Sequence, residues 1–184
     1  MKIKGNILLS RLAFVRERFG DGALEKVLAS LPEEDQSILR ELVSNVGWYP
    51  FDTGNRLDKA IADCLAGGDM KVFEQIGASS ARQNLSTVHK LLLRPGNPHA
   101  FMANTPTIYR LYYDKGRRDY EQTGPNSGVM TTYEAETYST ADCATVIGWF
   151  KEALTMCGAG DVKIDEPVCR ATGGEFCRYN ISWR

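Results

Sequence analysis

The last fifty residues leave the chain its least freedom. Val162 to Cys169 and Glu175 to Trp183 are β-rich runs on either side of Ala171-Thr172-Gly173-Gly174. Glycine supplies the positive φ that a short turn needs, so the segment reads as a β-hairpin. With the turn centred on Gly173, Cys169 falls opposite Cys177, and facing side chains of antiparallel strands stand about 5 Å apart at Cβ. Two thiols that close can share a metal, form a disulfide or simply pack. In the return strand Cys177, Tyr179, Ile181 and Trp183 alternate with Arg178, Asn180 and Ser182, which puts Cys177 on the core face. The outgoing strand changes parity between Ile164 and Cys169. A bulge restores register, and Pro167 stands where one is expected. Such a bulge can also turn Glu166 inward.

Before the hairpin, Ser139-Thr140-Ala141-Asp142 resembles a capping box with aspartate in its fourth place. Cys143, Val146, Ile147, Phe150, Leu154 and Cys157 then follow at helical spacing and make one apolar stripe. Cys143 thus opens a helix on its buried side, where it can meet the hairpin cysteines. The pattern Cys143-x22-Glu166-x2-Cys169-x7-Cys177 is a full set of four ligands for a closed, structural zinc site. The alternative is that these cysteines are small buried hydrophobes.

The first two-thirds reads as helical. Leu8, Leu12, Val15 and Phe19 make one stripe, ended by Gly20. Asp21 can cap a helix carrying Leu24, Val27, Leu28 and Leu31, and Pro32 stops that helix and can begin another with Ile38, Leu39, Leu42 and Val43 on its buried face. Val46 to Phe51 is an apolar loop whose Trp48, Tyr49 and Phe51 plug a core or line a pocket. Asp52 or Thr53 can cap the next helix, which bears Leu57, Ile61, Cys64 and Leu65. Met70 to Ile76 reads as a short helix ended by Gly77. Ser79 or Ser80 starts a long one to about Arg94, with Leu85, Val88, His89 and Leu92 on or near one face. After Pro95-Gly96-Asn97-Pro98, a helix from His99 to Tyr113 breaks near Pro106. From Arg117 the chain turns strand-like, with Arg117 to Thr123 and Val129 to Tyr138 joined by a turn at Gly124 to Gly128.

The order helices, hairpin, helix, hairpin predicts an α+β fold: a helical lobe over residues 1–116, packed on a four-stranded, mainly antiparallel sheet lobe over 117–184, in one compact domain. With 184 residues, 43% hydrophobic and 24% charged, the chain can bury a core of that size.

The segment from about Gly128 to Arg184, with Cys169 and Gly173-Gly174-Glu175-Phe176-Cys177-Arg178-Tyr179-Asn180-Ile181-Ser182-Trp183, resembles a 4-vinyl reductase domain. In phenol-sensing members of that family a cysteine, a glutamate and two further cysteines bind zinc, and their pattern falls here on Cys143, Glu166, Cys169 and Cys177. The whole chain is similar to a family of myxobacterial paralogues of unknown function. Both families belong to the superfamily that includes haem-nitric-oxide-binding (H-NOX) domains and small subunits of the TRAPP transport complex. The resemblance implies a regulatory sensing module that holds a small apolar molecule between lobe and sheet and signals through a partner, a dimer or a larger protein, since no output domain follows Trp183. The pocket candidates are His89, Trp48, Tyr49, Phe51, Phe101, Tyr109, Tyr112 and Trp149, with the alternative that these aromatics fill the core.

Two further readings follow from the same kinship. A haem-based gas sensor would use His89 as axial ligand, but the Tyr-x-Ser-x-Arg motif that binds haem propionates in H-NOX domains is absent, which counts against haem. An interaction subunit without a small ligand would instead need an exposed apolar patch. No enzyme is expected: the chain has no GxxxxGK[ST], GxGxxG or HExxH, and its two histidines, His89 and His99, fall on different elements. A net charge of −1 without a basic run suggests no direct nucleic-acid partner. Ser10-Arg11 interrupts the first apolar run, so no secretory signal is read. No run approaches the roughly 20 residues of a membrane span, and a cytoplasmic place is expected.

Overall fold

A computed structural model describes all residues but Val88, Thr137 and Tyr138. The expected places of Val88 on a helix face and of Tyr138 at a strand end lie outside the described residues. A short strand β1 (Lys2–Lys4) leads into α1 (Gly5–Phe19), α2 (Asp21–Ala29) and α3 (Glu33–Arg40). Strand β2 (Trp48–Pro50) then precedes α4 (Phe51–Ile61), α5 (Lys71–Ser86), α6 (Pro98–Met102) and α7 (Thr105–Tyr112). The hairpin β3 (Arg117–Gly124) and β4 (Ser127–Tyr133), helix α8 (Thr140–Met156), and strands β5 (Lys163–Val168) and β6 (Cys177–Ser182) complete the chain. The four late strands form one antiparallel sheet in the order β3-β4-β6-β5, as the α+β reading predicts. The paired β1 and β2 were not expected, because three-residue strands carry too little alternation to read.

One core runs through helices and sheet alike. Leu8, Leu57, Phe73, Ile76, Leu85 and Phe101 from the helices and Met130 and Tyr179 from the sheet are each 2% exposed or less. Met130 and Tyr179 are cross-strand partners, so their side chains share the buried face. The tightest pairing is α5 against α8. A Cβ at Gly77 would sit 2.0 Å from the Thr145 carbonyl oxygen, and one at Gly148 2.0 Å from that of Glu74. Each glycine thus admits the other helix's backbone.

That crossing corrects the expectation that Gly77 ends a helix. Helix α5 runs through it without a break and stops at Ser86, not near Arg94. Its neighbours explain the difference: a missing Cβ here serves close approach. His89 lies beyond the helix, before a 3₁₀ turn at Lys90–Leu92. Pro32 and Pro50 stand just outside α3 and α4, so proline, not Asp52 or Thr53, opens α4. Thr53 instead donates to the buried Asp35 (2.8 Å). Leu42, expected on a buried face, is 96% exposed because α3 ends at Arg40. Cys64, expected in the core, is half-buried in a π turn, its Sγ 3.8 Å from Ser30 Oγ.

Candidate metal centre

Three elements bring four donors together. Helix α8 is capped by Ser139, whose Oγ accepts from the Asp142 backbone N–H at 3.2 Å. This sets Cys143 in the first turn, where the positive end of the helix favours a thiolate. Strand β5 slips register against β6 between Asp165 and Val168, so the bulge expected at Pro167 is present. Glu166 sits within it and turns a carboxylate oxygen, Oε1, into the interior, where it has no hydrogen-bond partner. Cys169 follows at the head of a 3₁₀ turn closed by Gly173, whose φ of 97° suits glycine. Cys177 opens β6, beside Thr132 of β4.

One ligand atom from each of Cys143, Glu166, Cys169 and Cys177 can lie within 4.8 Å of all the others. Cys143 Sγ stands 3.7 Å from Cys169 Sγ and 3.8 Å from Cys177 Sγ. A tetrahedron with Zn–S bonds of about 2.3 Å has edges of about 3.8 Å. Cys143 Sγ therefore stands at that spacing from both hairpin sulfurs, and all three are free thiols. The Arg170 backbone N–H donates to Cys177 Sγ at 3.4 Å. A hydrogen bond to Cys177, then burial and the neighbouring negative groups, push the Cys143 thiol well up, while the same bond pulls Cys177 down. Burial pushes Cys169 up.

Behind the sulfurs lies a polar network that the sequence reading missed. Arg11 of α1 donates to Asp58 of α4 at 2.5 and 3.0 Å and to Asp142 of α8 at 3.4 Å. The Tyr113 hydroxyl donates to Asp142 as well, 3.2 Å from both carboxylate oxygens. Arg11, Asp58 and Asp142 are 3%, 2% and 6% exposed. Burial pulls Arg11 down, and Asp58 together with Asp142 more than reverses it, while Asp142 is pushed up by burial. The available signal was an arginine between Leu8 and Leu12 on an apolar stripe.

The predicted pocket residues divide. Tyr112 and Trp149 line a cavity of about 50 Å³ with Ile7, Arg11, Ile76 and Ile108. Phe101 stacks on Trp149 (centroids 6.2 Å apart), and half-buried His89 meets Tyr112 edge-on at 5.8 Å. Burial lowers the His89 pKa. The Tyr112 hydroxyl is buried without a hydrogen bond of ordinary geometry, the Asn84 side chain being its polar neighbour. Tyr109 faces elsewhere: it stacks on Tyr113 and donates to the Lys115 carbonyl at 2.6 Å. Trp48, Tyr49 and Phe51 do not join the group. Trp48 is 40% exposed under the Lys4 ammonium, Tyr49 accepts from the Ser44 N–H, and Phe51 is buried where α4 begins. The pairing of β2 with β1 holds that trio apart.

Residues 49–184 match the family described as "Protein of unknown function (DUF2378)". The chain belongs to that family. No curated protein matches it. Among solved structures, the Fe(II) unliganded H-NOX protein from K. algicida is similar over 98% of this chain and 96% of its own, at 13% identity and a TM-score of 0.75. The S. oneidensis H-NOX protein in its Fe(II)NO state is similar over 98% and 99%, at 14% identity and a TM-score of 0.72. The DUF2378 chain therefore has an H-NOX-like fold, and its four Cys and Glu donors can hold a metal ion. Among the described residues no helix is long and apolar enough to cross a membrane.

The fold raises the question of haem. In this DUF2378 chain Trp149, Phe150, Phe101 and Tyr112 pack ring on ring, and the space left beside them is about 50 Å³. Sites for drug-sized ligands occupy about 300–1,000 Å³. The buried arginines are also engaged, Arg11 with two carboxylates and Arg118 with Thr132 Oγ1. A porphyrin does not fit this arrangement of side chains.

Proposed function

We propose that this protein is a non-catalytic sensing module in which Cys143, Glu166, Cys169 and Cys177 hold a structural zinc ion. The spacing of Cys143 Sγ from both hairpin sulfurs, close to the edge of a zinc tetrahedron, carries this reading, and the buried, unpartnered Glu166 oxygen supplies the fourth corner. The ion fastens the β5–β6 ribbon to the start of α8. The resemblance of residues 128–184 to zinc-binding sensors of the 4-vinyl reductase family supports the same set. The small cavity beside Tyr112 and Trp149 then takes a small apolar molecule. Its occupancy passes through Asp142, next to Cys143, to a regulatory partner or a second copy, in the cytoplasm. Native mass spectrometry of protein purified without chelator tests this. One zinc per chain is expected, and less than about half an equivalent refutes the site.

A haem-based gas sensor is the second reading, and the fold likeness favours it more directly than it favours zinc. It assigns His89 as the axial ligand. Against it stand the packed interior and the absent propionate motif. Haem titration decides: a stoichiometric Soret band lost in His89→Ala establishes haem, and an unchanged spectrum removes it.

A further inference from the structure

Strand β3 lies at one edge of its sheet, and its one fully buried residue is a cation, Arg118, 5% exposed. Arg118 pairs in register with the buried Thr132 of β4, so both side chains stand on the inner face of the sheet. There Arg118 Nε donates to Thr132 Oγ1 at 2.8 Å, and the guanidinium carbon lies 5.0 Å from the Tyr109 ring centroid and 5.5 Å from that of Phe150. Among the described residues Nη1 and Nη2 have neither a hydrogen bond nor a carboxylate in contact. A buried charge is costly unless it is paired and hydrogen-bonded. Arg118 also lines the inner cavity of about 50 Å³. Its outer nitrogens keep accessible surface, unlike the sealed Tyr112 hydroxyl.

The other polar groups of that cavity are taken. Asp142, the carboxylate of the wall, is held by Arg11 and Tyr113, and Arg11 by Asp58 as well. Ser80 donates to Ser10, and Thr145 to the Ala141 carbonyl. The Tyr112 hydroxyl is closed off beside Asn84. The rest of the wall is apolar, with Ile7, Ile76, Ile108 and Val146. A water-sized group needs about 10–15 Å³ of such space, so the cavity admits roughly four non-hydrogen atoms. The guanidinium fork matches a carboxylate in both shape and charge. We infer that the cavity binds a short-chain carboxylate, its oxygens on Arg118 Nη1 and Nη2 and its alkyl end against the isoleucines. The inference rests on the reading of this cavity as the sensing site, and it gives the ligand a charged end.

The test uses sodium acetate as probe on the whole chain. Acetamide has the same shape without the charge, xenon reports the apolar space alone, and sodium chloride at equal concentration controls for ionic strength. Nitrogen-15 spectra should shift saturably with acetate at the Arg118 Nε–H and the Trp149 indole N–H, and should not shift with chloride. Acetamide should bind at least about ten-fold more weakly, since hydrogen bonds to an ionised acceptor are roughly twice as strong as neutral ones. Arg118→Met keeps the apolar stem and loses the donors, so it should lose acetate binding and keep the xenon shifts at Trp149. Should that variant misfold, the ranking of acetate over acetamide on the unaltered protein decides alone. Equal affinities for acetate and acetamide overturn the proposal, as does undiminished acetate binding in a folded Arg118→Met. Xenon shifts without acetate shifts overturn the charged end and leave an apolar sensing cavity standing. Absence of both sets of shifts overturns the cavity and its sensing role together.

Discussion

At the residue scale, two ionisable groups carry measurable consequences. Cys177→Ser removes one corner of the proposed tetrahedron. Because the free energy of a structural zinc ion is about 10–16 kcal/mol in small domains and much of it is folding energy, the variant should lose its metal and several kcal/mol of stability. Denaturant melts with and without chelator check this, and the chelator should have little further effect on the variant. Asp35 is fully buried and bonded by Arg56 and Thr53. The Arg56 hydrogen bond holds its pKa below the usual 3.8. A depressed carboxylate contributes stability that is fully present above the ordinary value, near pH 4, and is lost as pH falls through the folded value. Replacing Asp35 by Asn should therefore cost stability at pH 7 and flatten the decline below pH 4, read from melting temperatures across pH 2–7. The convergence of Cys143, Glu166, Cys169 and Cys177 was legible because a helical stripe, a hairpin and a proline bulge are local signals, and the family resemblance singled out the same four. The Arg11–Asp58–Asp142 triad was not, since its members lie 47 and 131 positions apart and only the fold makes them neighbours.

At the scale of elements, the α5–α8 crossing sets the helical lobe against the sheet lobe. Adding a methyl at Gly148 drives it into the Glu74 backbone, which cannot rotate away as a side chain would. Overpacking of that kind costs about 1–3 kcal/mol, so Gly148→Ala should lower stability by at least that much. The control is Gly22 in α2, whose Cβ would meet nothing within 4 Å. There alanine should be neutral or stabilise by up to about 1 kcal/mol through helix propensity. Equilibrium unfolding of the two variants separates close approach from propensity. The same crossing explains why the sequence misled at Gly77: a glycine inside a helix and one that ends it look alike until the partner helix is in place. The β4 and β6 strands, the broken α6–α7 pair and the capped α8 were readable because turn residues and alternation act over a few positions.

At the scale of the molecule, helices and strands share a single buried cluster. Unfolding should accordingly be one cooperative transition, with far-ultraviolet circular dichroism and tryptophan fluorescence coinciding. Two separated transitions would show lobes that fold apart. Fold class was legible because hairpin, helix and hairpin follow in an order that few layer architectures accept. The N-terminal aromatics were misplaced because Trp48 and Tyr49 belong to a strand too short to see, with Phe51 opening the helix after it, and the strand's pairing with β1 carries them to the surface or a different part of the core. The strand order leaves β5 on the margin of its sheet. A margin with a regular row of free amide and carbonyl groups can recruit strands from other molecules, and proline and irregular pairing are what blunt it. The kink at Pro167 that swings Glu166 toward the sulfurs breaks up that row. Straightening β5 to perfect its pairing would thus loosen the proposed metal site and, by the same stroke, open a route to fibrils.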